Sequence, residues 1–214
     1  MLRSVLDRTV AGFGLLAISP FLAAVALAVL IESGLPILFR HKRVGQHGTL
    51  FTLFKFRSMH MGIPGPQITA GGDRRVTRVG AVLRKYKLDE LPQLWNVLVG
   101  DMSLVGPRPE LPRFVDLTDP VWRRVLEVKP GITDMATLIY RCEEEVLGRE
   151  GDPERYYLQV VLPAKLALNL HYLGRRSTLQ DLRLLVMTVW YSLVPSRFQV
   201  ERIRRKLLGI EVAP

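Results

Sequence analysis

An α/β fold, mostly helical with a small sheet and carried on a membrane-embedded N-terminal element, is the architecture the sequence predicts. Three observations predict it. Residues 10–31 form an uncharged run of 22 residues, VAGFGLLAISPFLAAVALAVLI. The remainder alternates short strand-like stretches with helical ones and shows no repeat, low-complexity tract or interdomain linker. Lys and Arg outnumber Asp and Glu 30 to 20, a formal net charge of +10. The 214 residues suffice for one domain with a real core, and an apolar fraction of 48% excludes a disordered chain. The single cysteine, Cys142, excludes an intramolecular disulfide and a Cys-based zinc cluster, and nothing requires an oxidising compartment. The basic balance calls for an anionic partner: nucleic acid, a lipid surface or a phosphorylated substrate.

The N-terminal run comes first. As a helix it would be about 33 Å long, against about 30 Å for a bilayer's hydrocarbon core. Pro20 sits in its middle, where its ring removes a donor and crowds the carbonyl of Leu16; the Ser19 hydroxyl can bond a freed carbonyl. Basic residues flank both ends, Arg3 and Arg8 before and Arg40, Lys42 and Arg43 after. Both flanks prefer the cytoplasmic side, so a re-entrant helix–break–helix hinged at Ser19-Pro20 is favoured over a straight span. A signal peptide is disfavoured by the run's length and the missing cleavage site. A soluble core helix this apolar would be unusual. The expected division is residues 1–36 as membrane helix and 37–214 as a cytoplasmic domain with interfacial amphipathic helices.

Next along the chain, residues 37–39 read as a short strand, 40–48 as a basic turn region and 49–58 as a strand. In that strand Lys55 and Arg57 share one face and Phe54 and Phe56 the other. Residues 61–75, rich in Gly and Pro, read as a loop and candidate lid. A helix follows over 76–86. Asp89-Glu90-Leu91-Pro92 reads as the start of a helix reaching about residue 99 and stopped by Gly100, with Asp89 as N-cap. Residues 101–110 read as a short strand and a rigid Pro-Arg-Pro turn. Residues 112–127 are expected to be helical in part, 133–140 a strand or irregular, 152–172 helical with an interruption at Pro163, and 178–194 a helix capped by Ser177. The tail RFQVERIRRKLLG places Phe198, Ile203 and Leu207 among cations, as a helix on an anionic lipid surface or a solvated terminal helix.

Two constellations carry candidate chemistry. Asp89 and Glu90 are adjacent carboxylates preceded by Arg84, Lys85 and Lys87, whose charges favour ionisation. An ionised carboxylate can attack phosphorus or hold Mg²⁺; the plain alternative is an N-cap with a first-turn Glu. Lys55, Arg57, Arg108 and Arg141 form a cationic set, and Arg108 is presented between Pro107 and Pro109. Arginine's planar fork suits phosphate, while solvation at the surface is the plain alternative for each. The four histidines lack metal-ligand spacing. No nucleophile elbow, Walker loop or dinucleotide fingerprint occurs, and Cys142 lies in no motif.

With KFRSM (55–59), LRKYKLDELPQLWNVLVGDMSLVGPRPE (83–110) and KPGIT (129–133) on the page, the sequence resembles the bacterial sugar transferases, the monotopic phosphoglycosyl transferases. The resemblance runs over nearly the whole chain, in a minimal single-domain form with no flippase or polymerisation role expected. It implies transfer of a sugar-1-phosphate from a UDP-sugar to a polyprenyl phosphate, usually undecaprenyl phosphate, with UMP released and Mg²⁺ required. Asp89 then matches the family's nucleophile, forming a covalent phosphosugar intermediate in ping-pong fashion, and Glu90 matches the Mg²⁺ ligand, with Asp89 as a second one. Lys55, Arg57, Arg108 and Arg141 match substrate-binding positions, and Ser19-Pro20 matches the break of a re-entrant helix. The resemblance further implies an inner-membrane location with the site facing the cytoplasm, anionic lipids as neighbours and no nucleic-acid partner. Two departures stand out. DMATLIYR follows the KPGIT turn where many members have Gly and then Ala-Gln, which weakens the match at Arg141. Asn169 stands where many members have Asp, and brings no charge. The rival class is a basic membrane-surface or nucleic-acid-binding protein without catalysis, which would tolerate loss of Asp89. The sugar, the lipid length, the pathway and the oligomeric state are not legible in the motifs.

Overall fold

The computed structural model of the protein describes residues 2–65 and 68–208. Its first element, α1, spans Leu2–Ser33 as one helix with Pro20 inside it. The expected break is therefore absent from the backbone's helical run. Proline removes one hydrogen bond only, and the carbonyl it strands, that of Leu16, accepts from Ser19 Oγ at 2.8 Å. Both ends of α1 are tied to the rest of the molecule. Near its start, Asp7 accepts from Ser103 Oγ, Arg3 pairs with Asp181, and Arg8 donates to the Val99 carbonyl at 3.2 Å. Near its end, Val25 and Val29 pack on Phe56 and Leu83. Glu32 accepts from the Arg78 and Val79 amides at 2.8 and 3.0 Å. Phe13 and Leu16, between these anchors, are 71% and 73% exposed.

Gly34, at φ +77°, ends α1 and turns the chain into an antiparallel hairpin, β1 (Leu38–Val44) and β2 (Leu50–Phe56), with Phe39 opposite Lys55. Residues 40–44, expected as turn, thus belong to a strand. Arg40 and Lys42 are exposed, Arg43 is half-buried and donates to the Pro109 carbonyl at 3.3 Å, and the ladder with the Leu- and Phe-rich β2 holds the stretch extended. The true turn is at 45–49, where His47 and Gly48 take positive φ. The described part of the expected 61–75 loop has neither helix nor strand and is tied to the body by the Gly71 amide, which donates to the Glu144 carbonyl at 2.6 Å. Residues 66 and 67 of it lie outside the described residues.

Helix α2 (Arg78–Lys85) is capped by Thr77, whose side chain accepts from the Gly80 amide. A turn of 3-10 helix, Leu88–Glu90, connects it to α3 (Gln93–Val99), which Gly100 ends at φ +97°. Strand β3 (Ser103–Val105) then pairs in parallel with β4 (Gly131–Thr133). A Cβ on Gly131 would lie 2.1 Å from the Gly106 nitrogen, so this crossing admits glycine alone. Between them, Asp119 caps α4 (Pro120–Val125).

The stretch after β4 is neither strand nor irregular. Asp134 caps a short helix, α5 (Met135–Ile139), by accepting from the Thr137 amide. Met135, Ala136 and Leu138 are all buried, so no one-sided periodicity exists to be read. Helices α6 (Glu143–Leu147) and α7 (Pro153–Tyr156) follow. A π-helical turn, Tyr157–Val161, runs directly into α8 (Leu162–Gly174). Residues 153–174 are thus one helical run whose hydrogen bonding changes from π to α just before Pro163, the interruption expected there. Ser177 caps α9 (Thr178–Leu193), accepting from the Gln180 amide, as its position predicts.

The tail forms α10 (Val200–Leu208), with Gly209 outside the described residues. Its apolar side does not face outward: Ile203 is fully buried, Phe198 sits edge-on to Tyr191 at 5.6 Å, and Leu207 packs on the same core. That core, with Met102, Met135, Leu138, Tyr172 and Leu184, joins α1, α3, α5 and α9 beneath the two small sheets.

Candidate active site

Asp89 and Glu90 sit in the connection between α2 and α3. Lys87, in the left-handed region at φ +56°, reverses the chain and turns both carboxylates inward. They are therefore not an N-cap and first-turn pair. Pro92 occupies the position preceding α3, without a side-chain cap, and Asp89 and Glu90 are buried.

Glu90 is held from two sides. Its Oε1 accepts from Lys55 Nζ at 2.8 Å and from Arg108 Nη2, and its Oε2 accepts from Arg108 Nη1 at 3.1 Å. Burial pushes its carboxyl up, but the Arg108 guanidinium and the Lys55 ammonium outweigh that and hold it well below the usual carboxylate range. Asp89 differs. Its Oδ1 is buried with no hydrogen-bond partner. Burial raises its pKa; Lys55 opposes the rise and the Glu90 charge adds to it. Two adjacent carboxylates thus have different environments, one paired and fixed, the other desolvated with Oδ1 unpartnered.

The scaffold around them explains the precision. Lys55 projects from β2, whose position against α3 is set by Asn96: its Oδ1 accepts from the Phe54 amide at 3.2 Å and its Nδ2 donates to the Thr52 carbonyl at 2.7 Å. Arg108 is held by the two flanking prolines and by its own amide, which donates to Asp134 Oδ2 at 3.0 Å. Asp134 thereby joins the cap of α5 to the Pro-Arg-Pro turn. Asn96 and Asp134 escaped the sequence reading. Asp134 directly follows the KPGIT motif and precedes a short apolar run, which was the available signal for a cap; Asn96 left none, being one polar residue on a helix.

The structure brings together Lys55, Asp89, Glu90 and Arg108. Arg141 stands at the edge, donating to the Lys85 carbonyl at 3.2 Å and Ser192 Oγ at 3.4 Å, and lying 6.0 Å over the Phe198 ring. It makes no hydrogen bond to either carboxylate, although it feels the charge of Glu90. Arg57 is elsewhere. Its guanidinium donates to the Gly34 and Leu35 carbonyls at 2.6 and 3.0 Å and to Ser33 Oγ at 2.8 Å, so it closes the end of α1. Lys55 and Arg57 share a strand face in the pattern, but Arg57 lies beyond the last ladder pair and turns to the helix. Ser19 and Pro20 lie in α1, apart from this cluster. Asn169 is buried and lines a water-sized cavity with Arg108, Asp134, Thr137 and Lys165. Cys142 is half-buried and free.

Among the described residues no group of three or more His, Cys, Asp or Glu side chains is placed to hold a metal. The residues do fit a cation of the Mg²⁺ kind, which typically takes one or two carboxylates and completes its shell with substrate phosphates and water. Asp89 Oδ1 is an unsatisfied buried acceptor, and Glu90 Oε2 accepts a single hydrogen bond.

Two buried carboxylates with Lys55 and Arg108 thus lie together in a body that carries one long apolar helix. The chain belongs to the bacterial sugar transferase family, whose pattern it matches over residues 1–194. It is 38% identical over 192 residues to the UDP-glucose:undecaprenyl-phosphate glucose-1-phosphate transferase of Caulobacter vibrioides, covering 87% of this chain and 68% of that protein. It is 46% identical over 127 residues to the UDP-N-acetylgalactosamine-undecaprenyl-phosphate N-acetylgalactosaminephosphotransferase of Aeromonas hydrophila, covering 57% of this chain and 30% of that one. To the sugar transferase EpsL of Bacillus subtilis it is 35% identical over 199 residues, 93% of this chain and 91% of that one. The chain thus spans under a third of one of these relatives and nine-tenths of another.

Proposed function

We propose that this enzyme transfers a sugar-1-phosphate from a UDP-sugar to undecaprenyl phosphate or another polyprenyl phosphate, releasing UMP. It would supply the first membrane step of a glycoconjugate such as a capsule, exopolysaccharide, O-antigen or glycoprotein. The observation that carries the mechanism is the contrast within the dyad: Asp89 Oδ1 unpartnered beside a Glu90 pinned by Lys55 and Arg108.

In the first half-reaction Asp89 attacks the sugar-bearing phosphorus. An O–P bond forms to the carboxylate as the bond to the UMP oxygen breaks, leaving a phosphosugar on Asp89. In the second, an oxygen of the lipid phosphate attacks the same phosphorus and the carboxylate leaves. Lys55 and Arg108 orient Glu90 and offset the negative charge gathering at the phosphates, which is what phosphoryl transfer chiefly requires. Arg141, at the edge of the cluster, would bind a phosphate or nucleotide oxygen with donors beyond those given to the Lys85 carbonyl and Ser192. Mg²⁺, held by Asp89 and Glu90, would supply further charge neutralisation on the donor diphosphate.

The membrane element makes the lipid half-reaction possible. We read α1 as entering and leaving through the cytoplasmic leaflet of the inner membrane, although its helical run is unbroken. Both its ends contact the same globular body, and the exposed apolar span between them contains Ser19-Pro20. A straight span would place those ends on opposite faces. The exposed face of α9 is read as an interfacial surface, and the excess positive charge as drawing the body to anionic lipids.

The test is UMP release by the purified protein with Mg²⁺, undecaprenyl phosphate and a panel of UDP-sugars. Native protein should release UMP only with lipid acceptor present at steady state, and Asp89→Asn should lose at least about a thousandfold. Full activity in Asp89→Asn would remove the covalent route and point to direct attack by the lipid.

A further inference from the structure

Away from the dyad, an open groove of about 600 Å³ lies where the end of α8, the first turns of α9 and α10 meet. Three cations rim it, Arg175, Arg183 and Lys206, with His171 beside them. None of them forms an ion pair with an acidic side chain among the described residues. Asp181, the acid nearest them on α9, is already taken by the Tyr172 hydroxyl at 2.5 Å and by Arg3. The floor is apolar, with Leu179, Leu182, Val186 and Leu207.

The groove does not end at its rim. From Leu179 an apolar stripe continues along α9 through Leu182, Val186, Val189, Trp190 and Leu193, at spacings of one to four residues that keep it on one helix face. These residues are exposed, Leu179 at 77% and Leu193 at 67%. An uncovered apolar stripe about four helical turns long marks a contact surface. Its opposite side is buried against the core through Leu184 and Tyr191. Cations clustered at one end and hydrocarbon running away from them match an amphiphile with an anionic head.

We propose that this groove binds one anionic phospholipid, with its phosphate among Arg175, Arg183 and Lys206 and its acyl chains along the α9 stripe. The choice of a lipid over a second copy of the chain follows from charge: a copy would bring the same unpaired cations face to face. The site rests on the membrane-surface reading given above and gives it a specific contact. It also touches the chemistry, because the same helix supplies Ser192 to Arg141. Lipid seated on α9 would hold the edge of the active site in place.

Native mass spectrometry of the detergent-solubilised protein tests this with phosphatidylglycerol and phosphatidylcholine as probes. One phosphatidylglycerol should remain bound under conditions that strip phosphatidylcholine. The double variant R175E/R183E should weaken it by about fivefold or more per charge changed, while R175K/R183K should retain it. A single-turnover burst of UMP from donor alone, equal to that of the native protein, verifies that the variants are folded. Equal retention of the two lipids, or no change in R175E/R183E, would overturn the proposal. Displacement by glycerol 3-phosphate alone would overturn it in favour of a soluble phosphate, and lipid-free dimers lost in R175E/R183E in favour of a second copy. Lipid adducts in a protein that releases no UMP would sink the transferase mechanism and leave this site standing; UMP release without adducts would do the reverse.

Discussion

Asp89 must be ionised to attack phosphorus, yet burial holds its proton more tightly than an ordinary carboxyl does. The rate of the first half-reaction should therefore fall as pH is lowered through a value above the usual aspartate range. Lys55 is the strongest of the neighbouring charges resisting that shift. Its replacement in Lys55→Met removes a cation, stabilises protonated Asp89 and should move the acid limb of the pH–rate profile to higher pH. A limb that stays put, with only the amplitude reduced, would mean that Lys55 serves substrate binding and not the dyad. At this scale the sequence was informative about identity and less so about roles. Adjacent acids and a Pro-framed arginine are visible as letters. That Glu90 is consumed by two cations while Asp89 is left unpartnered depends on Lys87 turning the chain, a conformation that a lysine does not announce. Arg57 illustrates the opposite error: it sits within the motif yet closes a helix end.

Element positions rest on a few polar side chains that cross between segments. Asn96 satisfies a backbone donor and a backbone acceptor of β2, so Asn96→Ala should leave both unpaired and cost about 1–3 kcal/mol. Thermal unfolding should then begin roughly 3–10 °C lower, with activity falling through displaced Lys55; an unchanged melting temperature would show that β2 is held by its hairpin alone. The helices of the C-terminal half were legible where they had one apolar face and a cap, as α9 does with Ser177. Most of strand β1 and helix α5 were not, because one carries consecutive basic side chains, Arg40 to Arg43, on both faces and the other is buried on every side. Helix α1 was legible as an apolar run but not as a continuous helix, since the Ser19 hydroxyl repairs what Pro20 breaks. Its topology is open to a direct check. In spheroplasts a cysteine replacing exposed Leu6 should resist a membrane-impermeant maleimide added from outside, as a re-entrant helix requires. Labelling of Leu6→Cys in the otherwise native protein would establish a straight span.

On the proposed reaction the whole molecule would join a water-soluble donor to a lipid acceptor at one carboxylate, Asp89, beside an apolar helix. Its net charge of +10 favours both phosphorylated substrates and an anionic leaflet. The anchoring of α1 through Asp7, Arg8 and Glu32 keeps the helix and the dyad in one rigid frame. The central step of the proposed reaction is a sugar-phosphate resting on Asp89 between two half-reactions. Intact-protein mass spectrometry after mixing with the cognate UDP-sugar and Mg²⁺, with no lipid acceptor, measures that directly. One sugar-phosphate should be added per chain, mapped to the peptide containing Asp89, released on addition of undecaprenyl phosphate and missing in Asp89→Asn. Lipid-dependent turnover with no adduct at any time, or an adduct on another residue, would contradict it.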